Sequence, residues 1–322
     1  MFFNLTLMLF LFFMMTGIAF SVSSNNWMMV WVGLEISLMS FIPLIDNSMV
    51  GSESSMKYFI IQGVSSSILM LSLMMMILEI LNFEFILIFS LMLKMGVAPL
   101  HVWVLSIIEG LSYELMLILF TFIKIPSIML ISYLNYNLNM YILMTLIIGS
   151  LFGLNQNSFR KLLAYSSIFN MGFILSSLEF NSVWFLYLMI YLITLFILVK
   201  MINLMKINYL NQLMINSFNI KLKISLWISL LSMGGMPPML GFVSKLMLIE
   251  FVMMKLNLIV LLTMIMTSLL VMFYYIRTIY TSFLINSLIL KWNLYNSNNL
   301  SFWMMILNLF LFPTLIFVKP IF

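Results

Sequence analysis

Apolar positions in this chain fall in long solid runs, separated by short polar clusters. A membrane-spanning helix needs about 20 predominantly apolar residues. Eleven runs approach that length, at 3–22, 25–45, 56–80, 83–108, 114–133, 139–156, 161–178, 181–204, 222–254, 257–284 and 300–318. Within them the apolar residues are continuous instead of alternating with period two, which excludes a membrane β-barrel. Only helices then satisfy every backbone polar group in lipid. The expected fold is all-α: a polytopic membrane protein of about eleven transmembrane helices. The longest polar loop, 205–223, leaves no room for an extramembrane module, so residues 1–322 read as one membrane domain.

Two of the runs are interrupted. The fourth carries Lys94-Met95-Gly96-Val97-Ala98-Pro99-Leu100-His101, and the ninth carries Gly234-Gly235-Met236-Pro237-Pro238 with Lys245 beyond it. Proline removes a backbone donor and clashes with the preceding turn, so each site is expected to unwind its helix. The ninth run is in any case too long for one straight span. Interrupted segments at matching places in two halves mark the internal repeat of a transporter. Each interrupted run is fourth in a set of five, and an odd number of crossings requires the second set to lie inverted. The expected division is a first five-helix repeat over 1–135, a second over 136–285, and a C-terminal helix over 286–322.

Composition sharpens this picture. The 322 residues are 64% hydrophobic and 7% charged, with no cysteine and one histidine. A soluble domain has about 25% charged residues. Without cysteine there is no disulfide scaffold, thiolate metal site or iron–sulfur ligation in this chain, and His101 alone excludes bis-histidine haem ligation and multi-histidine zinc sites. No dinucleotide glycine motif follows a strand. The first run ends near Ala19-Phe20-Ser21 but is preceded by no basic residue, the first lysine being Lys57. A retained first helix is therefore expected, not a signal peptide. Thirty-five methionines read either as the mutational bias of an AT-rich genome or as drift at lipid-facing positions.

Basic residues set the orientation. Loops on the N-terminal side carry Arg160, Lys161, Lys206, Lys221, Lys223 and Lys291, and opposite loops little beyond Lys255 and Lys319. The positive-inside rule puts the N-terminus inside and the C-terminus outside.

Scarcity of charge makes the deep charges conspicuous. Glu35 lies about ten residues into its helix, about 15 Å deep at the helical rise. Lys94, Lys124 and Lys245 are similarly far from the ends of their runs. A charge at mid-bilayer costs about 2.5–3.5 kcal/mol on insertion scales. Four together cost on the order of 10 kcal/mol, which points to a buried ionisable chain serving function. Lys57 and Lys200 lie nearer run ends, where snorkelling to the interface is the competing explanation. Glu79, Glu84, Glu109 and Glu114 flank loops and read as solvated. His101 has two readings, a loop-packing residue or a proton relay beside the first break.

The same residues carry a family resemblance. Trp31-Val-Gly-Leu-Glu35, Phe41-Ile-Pro, Lys57-Tyr58-Phe59, Lys94 through His101 to Trp103, Gly153-Leu-Asn-Gln156, Arg160-Lys-Leu-Leu-Ala-Tyr165 with Met171-Gly172, and Leu231 through Phe242 with Lys245 occur in this order over almost the whole chain. The pattern resembles the antiporter-like membrane subunits of respiratory complex I, in particular the mitochondrial NADH dehydrogenase subunit 2 family. That resemblance implies a proton-translocating subunit of NADH:ubiquinone reductase in the mitochondrial inner membrane, with the N-terminus on the matrix side and the C-terminus on the intermembrane-space side. It implies that Glu35 pairs with Lys94, that Lys124 is the central lysine and that Lys245 is the lysine of the second broken helix, with Lys57 and His101 as further candidates. Pro99, Gly234, Gly235, Pro237 and Pro238 form the breaks. No cofactor is expected in the chain itself; NADH, FMN, iron–sulfur clusters and ubiquinone belong to other parts of the complex. Expected partners are other membrane-arm subunits, including neighbouring antiporter-like ones, and membrane lipids, but no nucleic acid. A free-standing cation/proton antiporter shares the broken helices and buried lysines, and a structural spacer whose charges are relics is the third reading.

Overall fold

Every regular element in the computed structural model is helical, and it describes residues 5–45, 48–79, 83–134, 136–178, 181–215, 220–255, 257–285 and 301–309. Lys291, Lys319 and most of the expected C-terminal helix lie outside the described residues. Two compact units are present, residues 1–138 and 139–322.

The first unit contains α1 (Leu5–Ser23), α2 (Trp27–Phe41) with a 3₁₀ turn (Ile42–Leu44), α3 (Met49–Ile77), α4 (Phe83–Met95), α5 (Val102–Ile108), α6 (Tyr113–Phe120) and α7 (Lys124–Ser132). Small residues four apart on both partners bring α1 and α2 together, as lipid-embedded helices require for close approach. Gly17 and Ser21 face Gly33 and Ser37, so closely that a Cβ on Gly33 would stand 2.7 Å from the Ser21 amide nitrogen. A Cβ on Gly17 would stand 2.8 Å from the Ser37 nitrogen. Serines inside these spans bond back to their own helix, Ser21 to the Ile18 carbonyl and Ser37 to the Leu34 carbonyl, both at 2.7 Å. A hydroxyl is thereby satisfied without water or a partner helix.

The third helix begins at Met49, earlier than the run pattern places it. Ser48 caps it, its Oγ accepting from the Gly51 amide at 3.0 Å, as serine does at a helix start. The fourth run breaks where its glycine and proline predict, between α4 and α5. The fifth run breaks as well, which the run pattern does not predict. Pro126 has no amide hydrogen for the Phe122 carbonyl four residues back, and its ring crowds that group. The Ile125 amide takes the Phe122 carbonyl instead, at 3.2 Å, and helix resumes at Lys124 with Pro126 inside the first turn.

The second unit contains α8 (Asn139–Gly153), α9 (Phe159–Ser176), α10 (Asn181–Met205), α11 (Gln212–Ile215), α12 (Ile220–Gly234), α13 (Leu240–Met254) and α14 (Leu258–Ile285), with residues 301–309 also helical. At its centre stands α9, buried on every side after Lys161 although it contains Ser166, Ser167, Asn170 and Ser176. Gly149 lets α8 press against the Phe169 backbone, and Gly172 sits against Thr145. The ninth run breaks at residues 235–239, as its Gly-Gly-Met-Pro-Pro sequence predicts.

Six stretches, among the described residues, are long and apolar enough to cross a membrane: Leu5–Ser23, Trp27–Leu44, Met49–Ile77, Tyr113–Ser132, Val183–Met205 and Leu258–Tyr280. Of the other runs, the fourth, sixth and ninth form shorter helices, and the seventh forms α9, 18 residues long but more polar.

Candidate functional site

Lys94 closes the last turn of α4 and is 8% exposed. The chain leaves the helix through Gly96, whose φ of +69° suits a residue without a Cβ. Helix termini leave carbonyls without intrahelical partners, and here side chains from elsewhere take them. Trp103 Nε1 donates to the Leu93 carbonyl at 3.0 Å, and Gln62 Nε2 donates to the Lys94 carbonyl at 3.3 Å. These two bonds hold the unwound end of α4 against α3 and α5.

Glu35 lies half-buried on α2. It acts electrostatically on both Lys94 and Tyr58, and no ion pair joins it to Lys94 at contact distance among the described residues. Tyr58 is fully buried, its ring 5.1 Å from Phe41 and 6.2 Å from Trp103. The neighbouring Lys57 faces outward and pairs at 2.6 Å with Glu53, one turn earlier on the same surface. His101 is half-buried at the start of α5, with Nδ1 3.2 Å from the Pro99 carbonyl, and Pro99 itself is exposed.

Lys124 opens α7 just after the unpredicted break, 3% exposed. Its ammonium has no hydrogen-bond partner, and stands 5.5 Å from the Phe120 ring centroid. Since α4 packs on α7, the helices bearing Lys94 and Lys124 are neighbours.

In the second unit, Lys245 turns back from α13 onto the end of α12. Its Nζ donates to the Gly234 carbonyl at 2.7 Å and to the Met233 carbonyl at 3.2 Å. A cation placed on the free carbonyls at a helix C-terminus is favourable by charge as well as by hydrogen bonding. Phe169 adds its ring, 5.4 Å from Nζ. Gly235 leaves the helix at φ +84°, and a Cβ there would meet Lys245 Cδ at 3.0 Å. Pro237 and Pro238 are exposed on the connecting loop, and Gly234 is buried beneath it.

Sequence reasoning passed over Gln62 and gave Tyr58 and Trp103 no role. The signal was present: Ser54, Tyr58, Gln62, Ser65 and Ser72 recur at helical spacing on α3, and all are buried.

The family described as NADH:quinone oxidoreductase/Mrp antiporter, transmembrane region, matches residues 24–85 and 77–272. An NADH-ubiquinone oxidoreductase chain 2 of Anopheles gambiae is 39% identical over 307 residues, covering 90% of each chain. The Mus musculus protein of the same name is 34% identical over 299 residues, covering 86% of each. Among solved structures, a chain of respiratory complex I from Thermus thermophilus superposes with a TM-score of 0.83 at 19% identity, over 98% of this chain and 80% of that one. A chain of the Mrp complex from a Dietzia species gives 0.74 at 18% identity, over 85% and 59%. At those identities the superpositions speak to the fold.

Proposed function

The chain belongs to the NADH:quinone oxidoreductase/Mrp antiporter membrane family, with the NADH-ubiquinone oxidoreductase chain 2 proteins among its relatives, and on that premise we propose that it translocates protons as a core membrane subunit of respiratory complex I. The redox groups that take electrons from NADH to ubiquinone sit in other subunits, and this chain's partners are neighbouring membrane-arm subunits and lipid. Its place is the mitochondrial inner membrane, crossed about eleven times, N-terminus on the matrix side. Two inverted five-helix repeats, 1–135 and 136–285, organise the crossing; the break in the fourth helix of each set supports this.

The observation that carries the reading is Lys124, a lysine buried in a membrane helix with its ammonium unpartnered. A structural core has no use for such a group, whereas a site that must give up and regain a proton does. In this reading a charge change outside the chain alters the hold of Glu35 on Lys94. In apolar surroundings a carboxylate and an ammonium hold each other charged, and weakening that interaction frees a proton to move. Lys94, Lys124 and Lys245 then load and release protons in turn. Carbonyls at the helix ends, and waters they hold, supply the steps between.

The decisive experiment replaces Lys124 with alanine in the assembled complex, reconstituted in vesicles. The number of protons moved per electron falls while NADH oxidation persists. An unchanged ratio overturns the proposal.

A further inference from the structure

Both helix breaks are finished in the same way, and one difference between them gives work to residues outside the lysine series. Past each helix end the chain turns through a glycine at positive φ, Gly96 after α4 and Gly235 after α12. At α4 the Val97 amide bonds to the Met92 carbonyl at 3.1 Å and the Gly96 amide to the Leu93 carbonyl at 3.2 Å. At α12 the Met236 amide bonds to the Leu231 carbonyl and the Gly235 amide to the Ser232 carbonyl, both at 3.2 Å. This paired pattern closes a helix but uses only two of its last four carbonyls. Next in line are the carbonyls of Lys94 in α4 and Met233 in α12.

A helical side chain leans toward the N-terminus of its own helix. Lys245, in the second turn after its break, therefore leans onto the open end of α12 and donates to the Met233 carbonyl. Lys94 stands in the last turn before its break and leans away from the open end. There a neutral donor has the place that the ammonium has in α12: Gln62 Nε2, from α3, reaches the Lys94 carbonyl. Trp103 Nε1, from α5, adds a bond to the Leu93 carbonyl.

Both donors are buried, Gln62 at 4% and Trp103 at 7% exposure. Ser65 donates to Gln62 Oε1 at 3.5 Å, which turns the amide nitrogen toward α4. Tyr58, one turn before Gln62, packs its ring on that of Trp103, so the two donors belong to one wall. A buried N–H costs free energy unless it is bonded, and here the two bonds fall on the peptide groups either side of the Lys94 Cα. Pinning both fixes the backbone from which the Lys94 side chain springs. The clamp itself carries no charge that changes as a proton arrives or leaves.

We propose that Gln62 and Trp103 are positioning residues for proton transfer at Lys94, holding its backbone in place relative to Glu35 while the charge on its side chain comes and goes. In the second break Lys245 holds the helix end itself. This role rests on the reading that Lys94 carries protons.

The test uses the assembled complex reconstituted in vesicles. Gln62→Met and Trp103→Phe each keep a similar shape and remove one N–H donor. Protons moved per electron are expected to fall at least twofold in each variant, with a native gel showing the complex assembled. Lys94→Met sets the floor. Because Gln62 acts through Lys94, the double variant Gln62→Met with Lys94→Met moves no fewer protons than Lys94→Met alone, whereas a side chain that only stabilised the fold would add its own loss. A normal ratio in Gln62→Met and Trp103→Phe, beside a lowered one in Lys94→Met, overturns the positioning role and leaves the wider reading standing. A further loss in the double variant overturns the positioning role as well. A normal ratio in Lys94→Met overturns the wider reading, and the positioning role with it.

Discussion

Two buried lysines in this protein have opposite surroundings, and the difference is testable. Lys245 has two carbonyl acceptors at the end of α12 and an aromatic face. Lys124 has an aromatic face alone. A buried charge without hydrogen-bonded compensation costs several kcal/mol, and an apolar side chain of similar volume relieves that cost. Lys124→Met is therefore expected to raise the stability of the assembled protein, by about 1 kcal/mol or more, although it abolishes the proposed function. Lys245→Met removes a charge too, but strands the Met233 and Gly234 carbonyls, so it brings no such gain. Thermal unfolding of the two variants side by side decides the matter; a stabilised Lys245→Met with a destabilised Lys124→Met would reverse the assignment. The same habit of placing a cation on a helix end recurs nearby, where Lys255 donates to the Ser176 carbonyl at the end of α9 and Arg277 to the Leu154 carbonyl beyond α8. By contrast, the Glu53–Lys57 pair lies on an exposed surface, where ion pairs contribute little, and Lys57→Ala should leave assembly unchanged.

At the scale of helices, small residues decide which elements meet. Apolar side chains gain nothing by leaving lipid for one another, so helices associate through close backbone packing. Gly17, Ser21, Gly33 and Ser37 supply it between α1 and α2, and Gly149 and Gly172 between α8 and α9. Gly33→Leu places a branched side chain where even a Cβ stands 2.7 Å from the Ser21 nitrogen. Overpacking of this kind costs about 1–3 kcal/mol and is expected to spread α1 from α2. Native gel electrophoresis would show it as reduced incorporation into the large assembly, whereas Met39→Leu, on the exposed side of α2, incorporates normally. Breaks are the second decision at this scale. Those in the fourth and ninth runs announce themselves by glycine followed within three residues by proline. The one before Lys124 rests on Pro126 alone, with β-branched Thr121, Ile123 and Ile125 around it, and the apolar run masks it.

For the whole molecule, the proposed orientation rests on the distribution of lysine and arginine over the loops. With no native cysteine, a single introduced thiol is the only one in this chain, which makes topology directly measurable. Tyr209 and Tyr136 are both exposed, the first in the loop after α10 and the second in the loop before α8. Tyr209→Cys is expected to react with a membrane-impermeant maleimide only from the matrix side, and Tyr136→Cys only from the opposite side. Labelling of both from one side would break the proposed topology, because an odd number of crossings separates them.

Lipid is the reason so much was legible in advance. A backbone that cannot bond to the solvent must be helical, so solid apolar runs by themselves determined the fold class and, through the cost of burying charge, pointed to Glu35, Lys94, Lys124 and Lys245 as the residues to watch. Glycine and proline determined two of the breaks for the same local reason. Tertiary structure alone decided what those residues touch. That Gln62 and Trp103 hold the end of α4, that Lys245 caps α12 while Lys124 is left without a partner, and that Tyr187 of α10 bonds to Asn170 of α9 are decided between residues far apart in the chain. They follow from which helix faces meet and how closely small residues let them approach. Hydropathy along one strand of sequence carries the depth of a residue in the membrane, but not the identity of the neighbour waiting there.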